Sequence, residues 1–403
     1  VDLSGLDRAI VAAIEAAREQ VRQSPHSAAA WGRLGKVLIA HELRESALLC
    51  LAEAEKLDPR EPRWPYLQGV ALSQGDPDAA LPRLRRAVEL CGRTPDAPRL
   101  WLGEVLLEQG HLDEAEKHFR EALQVNPNHP RAFLGLGRLA LARDRLSDAL
   151  EPLQRAASSP YTRQRANTLL AQVQQRLGQT AEAAKTLHQA AALPGDLPWP
   201  DPFVEEVARL QVGERARLAK ARTLFQQGQA PEGIRLLSQT VQDYPRSFAA
   251  WLMLGQGLFG LREYADAEKA LREAIRLAPE AVDAHYALGL SLLEQGNLAE
   301  AAVSLRRAIE IKPDFALAYY QLSRCLHGQN DPKGSLEALR NAVRHKPDLA
   351  DAHAALGEQL AREGQKAEAL FHLRCAGNLG PLDPKRKTLL EQLEKESSVP
   401  DGP

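Results

Sequence analysis

The chain has 403 residues, 26% of them charged, with 51 Lys and Arg against 53 Asp and Glu and a formal net charge of −2. This balance supplies no basic field for a nucleic-acid backbone. No apolar run approaches the roughly 18 residues that a membrane-spanning helix needs, and β-branched residues are sparse, as in an all-helical chain.

In chain order, residues 1–27 place Leu6, Ile10, Ala13, Ile14, Ala17 and Val21 at helical spacing before Pro25, which predicts one capping helix. Residues 28–194 then read as five similar segments. The first carries Trp31, Leu34, Gly35, Ala47, Leu51, Ala54 and Pro59. The second reads as slipped by one residue, with Trp64, Leu67, Gln68 where glycine is expected, then Ala80, Leu84 and Ala87. The third has Leu102, Gly103, Ala115, Phe119, Ala122 and Pro127; the fourth has Phe133, Leu136, Gly137, Ala149, Leu153 and Ala156. The fifth is degenerate, around Asn167, Leu170, Ala171, Ala183, Leu187 and Ala190.

The register then breaks. Residues 195–213 form a proline-rich elbow: with Pro194 just before it, Pro198, Pro200 and Pro202, together with Trp199 and Phe203, predict a stiff segment held to the surface by its aromatics. Asp201 before Pro202 predicts a helix start, and Val204, Val207 and Leu210 predict one long helix running on to Leu218 and Leu224, with Gly213 as its weak point. Residues 214–383 hold five more segments. The prolines at 245, 279, 313, 347 and 381 are each 34 residues apart, and Trp251, His285, Tyr319 and His353 share one phase of that period. Residues 384–403 predict a capping helix with Leu389, Leu390 and Leu393, then a frayed tail from Val399.

A fixed period marks a repeat array, in which each unit buries its apolar face against its neighbours. Trp251-x2-Leu254-Gly255, followed by Ala267, Leu271, Ala274 and Pro279, resembles the tetratricopeptide repeat, and the likeness extends over nearly the whole chain. The resemblance implies an all-α, right-handed superhelical solenoid of about ten antiparallel helix pairs in two five-repeat arrays. Small residues at the Gly and Ala positions let paired helices approach, and Gly110, Gly178, Gly228, Gly296 and Gly364 end first helices in the left-handed conformation.

Enzyme chemistry finds no foothold. Gly255–Gly260 and Gly135–Ala140 match dinucleotide fingerprints, yet no strand precedes either, and both use the repeat's packing glycine. His111 and His118 lack a third metal ligand. There is no nucleophile elbow, His-Glu-x2-His or phosphate loop. Cys50, Cys91, Cys325 and Cys375 form no Cys-x2-Cys pair and predict opportunistic packing in a reducing compartment. The start at Val1 leaves room for an upstream signal that was removed, so the compartment stays open. The sequence thus predicts no catalytic, cofactor or metal site.

The resemblance implies a binding surface instead, lined by first-helix positions one, five and eight residues beyond the Trp. Here those are Leu252, Gln256 and Phe259; Tyr286, Leu290 and Leu293; and Tyr320, Arg324 and His327. Tyr, Phe and Arg are residue types that dominate contact energy, and an apolar groove edged by Arg324 suits a peptide segment or helix of another protein. A packing reading of Leu290 and Leu293 stays open beside it. Arg138, Arg165, Arg176, Arg215 and Arg222 form a candidate basic belt for an acidic peptide, with a solvated Arg-rich surface as the alternative. The Lys/Asn/Arg clamp of chaperone-binding members is absent at Gly32/Lys36 and Leu252/Gln256, and Asn167 stands alone where an asparagine ladder would repeat. The sequence therefore predicts a non-enzymatic scaffold or adaptor, with self-association possible. A targeting or assembly subunit of an enzyme complex is the alternative, and a helical-repeat nucleic-acid reader is disfavoured by the charge.

Overall fold

A computed structural model describes residues 3–398, and among them every regular element is an α-helix. The tail from Val399, expected to fray, lies outside the described residues. The chain divides into two compact units, Val1–Gly213 and Glu214–Pro403.

The first unit opens with α1 (Arg8–Gln23) and continues with five helix pairs: α2 (Ala28–Ala40) with α3 (Arg44–Leu57), α4 (Arg63–Leu72) with α5 (Pro77–Cys91), α6 (Ala97–Glu108) with α7 (Leu112–Val125), α8 (Pro130–Ala142) with α9 (Leu146–Ala157), and α10 (Arg163–Arg176) with α11 (Thr180–Ala192). A short α12 (Pro202–Ala208) ends it. The second unit pairs α13 (Glu214–Gln226) with α14 (Ala230–Asp243), α15 (Phe248–Gly260) with α16 (Tyr264–Leu277), α17 (Val282–Glu294) with α18 (Leu298–Ile311), α19 (Ala316–Gly328) with α20 (Pro332–His345), and α21 (Ala350–Arg362) with α22 (Lys366–Leu379). α23 (Pro384–Ser398) follows. Within each unit, each pair packs within itself and onto the next, the architecture of a helical solenoid.

One contact repeats through both units. Among the described residues, in seven repeats a glycine of the first helix faces a large residue of its partner helix, whereas Leu187 of the degenerate fifth repeat, read from the sequence as a packing residue, is exposed. A Cβ on Gly35 would stand 2.8 Å from Leu51 Cγ, on Gly255 2.5 Å from Leu271 Cγ, and on Gly289 2.7 Å from Leu305 Cγ. Gly103 meets Phe119 and Gly137 meets Leu153 in the same way. The alanines beside those large residues, such as Ala47, Ala267 and Ala301, are fully buried. Here the backbone of one helix lies against the side chains of the next, which only small residues permit. At the ends, Ile14 and Ala17 of α1 are buried against Leu34, Val37 and Leu38, and Leu393 of α23 is buried with Leu356, Leu360 and Leu373.

The structure corrects the sequence reading at three further places. In the second repeat the first helix keeps the 34-residue register. Gly69, not Gln68, is the small residue, and its Cβ would stand 2.6 Å from Leu84 Cγ. The one-residue shortening falls in the turn before α5. Trp64 is freed from the repeat pattern and buries its ring over Gly32, where a Cβ would approach Cη2 to 2.1 Å. Second, the predicted long helix is two helices, α12 and α13, because Gly213 has φ +92° and a Cβ there would lie 2.7 Å from an Asp7 carboxylate oxygen. Third, residues 195–213 fold with the first unit. The left-handed turn residues Gly110, Gly178, Gly228, Gly296 and Gly364 have φ between 76° and 81°. The same place in other repeats holds Glu42, Asp144, Arg262 and Asn330, with φ between 58° and 64°, so glycine is not obligatory there.

Candidate functional site

In the first unit the first-helix face is occupied, and by the chain itself. Residues 196–210 run along it, anchored at successive points. Asp196 accepts from the backbone N–H of Gln164 at 2.7 Å and of Arg165 at 3.3 Å. It thereby caps α10, whose own N-cap, Thr162, donates its hydroxyl to Ala156 instead. Leu197 N–H donates to the Pro160 carbonyl at 2.9 Å. Trp199 lies against His129, with ring centroids 4.6 Å apart, and edge-on to Tyr161 at 5.3 Å. His129 is a fixed platform: Nδ1 accepts from Ala132 N–H at 3.3 Å, which leaves Nε2–H to donate to Asp96 at 3.1 Å. The hydrogen bond from His129 holds the Asp96 carboxyl below its usual range.

Asp201 is the centre of the arrangement. One oxygen accepts from Phe203 N–H at 3.0 Å and Val204 N–H at 3.1 Å, starting α12 as its place before Pro202 predicts. The other accepts the Tyr66 hydroxyl in a short hydrogen bond. Both residues are almost wholly buried. Burial first, then the Asp201 carboxylate, pushes the Tyr66 phenol well above its usual range, so it stays a donor. Phe203 packs on the Tyr66 ring at 5.3 Å. One turn on, Glu206 accepts from Lys36 at 2.9 Å and reaches Arg63 at 3.5 Å. Val207 is buried, and Leu210 packs on the cluster that α1 and α2 share. Lys36 and Tyr66 stand five and one residues beyond the Trp position of their repeats, which the resemblance assigns to the binding face.

A cavity of about 1230 Å³ remains beside the segment, lined by Trp101, Glu104, Arg131 and Trp199 among others. Two residues of the candidate belt, Arg138 and Arg165, also line it. Arg138 pairs with Glu108 at 3.3 Å and Arg165 with Asp196 at 3.5 Å. Arg176 pairs with Asp144 elsewhere, while Arg215 and Arg222 belong to α13 of the second unit. Within the first unit, Arg138 and Arg165 line one cavity, each beside a carboxylate.

In the second unit the nine groove positions lie on α15, α17 and α19. Leu252, Phe259, Tyr286, Leu290, Leu293 and Tyr320 are half-buried, whereas Gln256, Arg324 and His327 are exposed. Leu252, Phe259, Tyr286 and Leu293 rest on the unit's core. Tyr286 packs on Phe315 with ring centroids 4.8 Å apart, and Phe259 on Tyr264 at 5.5 Å. Arg324 donates to Gln321 at 2.8 Å and reaches Glu294 at 3.4 Å. Burial raises the phenols of Tyr286 and Tyr320 above their usual range, leaving both as neutral donors. The face is apolar at its base with separate charges on its edge.

Among the described residues no group of three or more His, Cys, Asp or Glu is placed to hold a metal ion, and no helix is long and apolar enough to cross a membrane. Both dinucleotide-like stretches are helical, in α15 and α8, with Gly255 and Gly137 under Leu271 and Leu153. The four cysteines are free.

The contacts of 196–210 could not be read locally: Tyr66 and Asp201 are 135 residues apart and Lys36 and Glu206 are 170 apart. The available signal was the density of aromatic and acidic residues among the prolines.

Models of the tetratricopeptide repeat match residues 71–118, 100–162, 164–189, 218–259 and 252–316. DnaJ homolog subfamily C member 3 of Bos taurus is 40% identical over 96 residues, which are 24% of this chain and 19% of that protein. The match thus spans about a fifth of the relative's length. Among solved structures, MamA is 22% identical, covering 44% of this chain and 97% of its own with a TM-score of 0.38. The Cut9–Hcn1 hetero-tetramer of the APC/C is 14% identical, covering 94% and 92% with a TM-score of 0.40.

Proposed function

Since the chain belongs to the tetratricopeptide-repeat family, we propose that it is a non-enzymatic scaffold or adaptor that grips a peptide segment or helix of a partner protein on the first-helix face of its second unit. What carries this reading is the first unit, where the corresponding face holds an extended segment followed by a short helix through Tyr66 and Lys36. The second unit offers Tyr286, Leu290 and Tyr320 at matching positions, with Arg324 at the edge. An apolar base supplies burial, and phenols and Arg supply hydrogen bonds that fix orientation. The possible basic belt reduces, in this proposal, to Arg138 and Arg165 of the first unit.

The test is affinity capture with the wild type beside a Tyr286→Ala/Tyr320→Ala/Arg324→Ala variant of unchanged helicity. The expected outcome is loss of a defined set of partners, since truncating central aromatic and Arg contacts costs about 2 kcal/mol or more each. Equal recovery of the same partners by both proteins sinks the proposal.

A further inference from the structure

The first unit holds a peptide in its groove, and the peptide is its own. We propose that this face is a second peptide-binding site, held closed by residues 196–210 as an internal ligand. Its external ligand is an extended segment of a partner protein with the same chemistry: an Asp-Pro-aromatic core flanked by proline, with a carboxylate five residues after the aspartate.

Three observations carry this. First, the occupant is held as a bound peptide is held, by side chains entering discrete sites. Trp199 rests on His129 and Tyr161, Phe203 on Tyr66, the Asp201 carboxylate takes the Tyr66 hydroxyl, and Glu206 meets Lys36 and Arg63. Aromatic anchors with a buried, hydrogen-bonded carboxylate are the means by which grooves select sequences. Second, the groove is larger than its occupant. Besides the cavity of about 1230 Å³, spaces of about 530 Å³ beside Glu206 and about 200 Å³ beside Val204 and Val207 run along the segment. Asp201 and Val207 are themselves buried, and the space beside them leaves room for a ligand longer or bulkier than the segment. Third, the groups left behind on release are chemically suited to a new ligand. Lys36 and the Tyr66 hydroxyl both present donors to a carboxylate, so an apolar peptide would leave them unpaired, whereas Arg63 keeps its two hydrogen bonds to Glu61.

Charge and shape therefore specify the partner: a carboxylate-bearing, proline-flanked aromatic segment. A tethered occupant acts at an effective concentration in the millimolar range, so a free peptide of micromolar affinity competes poorly until the segment is weakened. Closure thus lowers the apparent affinity by the fraction of time the groove stands open.

The probe is a fluorescently labelled synthetic peptide of residues 194–210, added to the full chain. An opened variant carries Asp201→Lys, Phe203→Ser and Glu206→Lys, all in the segment and none in the groove wall. Expected is binding to the opened variant at least ~10-fold tighter than to the wild type, lost again when the peptide carries Asp201→Lys. In the wild type, excess peptide should speed hydrogen exchange at Leu197, Phe203 and Val204, whose amides the closed segment protects. This second measurement decides the matter if the opened variant does not fold. No binding to a folded opened variant, equal binding to both chains, or unchanged exchange in saturating peptide overturns the proposal. A wild-type dimer that exchanges its segments, seen as a doubled mass by light scattering, assigns the groove to a second copy and overturns it too.

Discussion

Trp31, Trp251, His285 and His353 stand at one repeat position and do one job. Trp31 Nε1–H donates to the carbonyl of Pro25 at 2.9 Å and Trp251 Nε1–H to that of Pro245 at 3.1 Å. His285 Nε2 meets the Pro279 carbonyl at 2.8 Å and His353 Nε2 the Pro347 carbonyl at 3.0 Å. A carbonyl accepts only, so both histidines carry the proton on Nε2. In these four repeats the position holds a flat ring with an N–H at its far end, which explains an exchange that looks unconservative by size, while Phe133 and Tyr319 fill the same place with a ring that has no N–H. His285→Phe should lose about 0.5–1.5 kcal/mol of stability and His285→Trp should retain it, as read from denaturant midpoints. The turn residue Arg262 is the converse case. It is exposed and has φ +64°, where a side chain adds strain without adding contact. Arg262→Gly should therefore raise stability by up to about 1 kcal/mol despite the looser unfolded chain.

At the scale of elements, the repeat is a pair of helices whose separation is set by three small residues. Ala267 lies fully buried beside the Gly255–Leu271 contact, with its carbonyl oxygen only 3.3 Å from where a Gly255 Cβ would stand. Ala267→Leu leaves no path for the added carbons except through that crossing. It should cost about 1–3 kcal/mol, and an unchanged thermal midpoint would count against the pairing. The same sensitivity explains the second repeat. Because Gly69 must face Leu84, the one-residue deletion was absorbed in the turn, where register is free, and not in the helix, where it would move the glycine off the contact. A sequence scan that follows Trp-x2-Leu drops into the wrong register there, since Trp64 is large, buried and one residue early.

At the scale of the molecule, nearest-neighbour packing makes damage local. Leu153 is fully buried under Gly137 and belongs to a cluster drawn from α8, α9 and α10. Leu153→Ala should cost about 2–5 kcal/mol and should lower hydrogen-exchange protection in α8–α11, leaving α17–α22 protected as before. Uniform loss along both units would show global cooperativity instead. Residues 196–210 are the exception to nearest-neighbour order. They touch α2, α4, the N-cap of α8 and α10, and so tie repeats that do not otherwise meet within the first unit.

The sequence by itself determined the helix pairs, their period and the packing residues of the regular repeats, because each depends on contacts within about one repeat and so leaves a periodic trace. It also marked Asp201 as a helix start, a property of its immediate neighbours. It could not place the segment around Asp201, which reads equally well as a spacer between two arrays. Only the tertiary structure decided that, since the groove that receives it is assembled from helices more than a hundred residues upstream as well as from nearer ones. Complementarity between a segment and a distant surface has no period, and so no local pattern announces it.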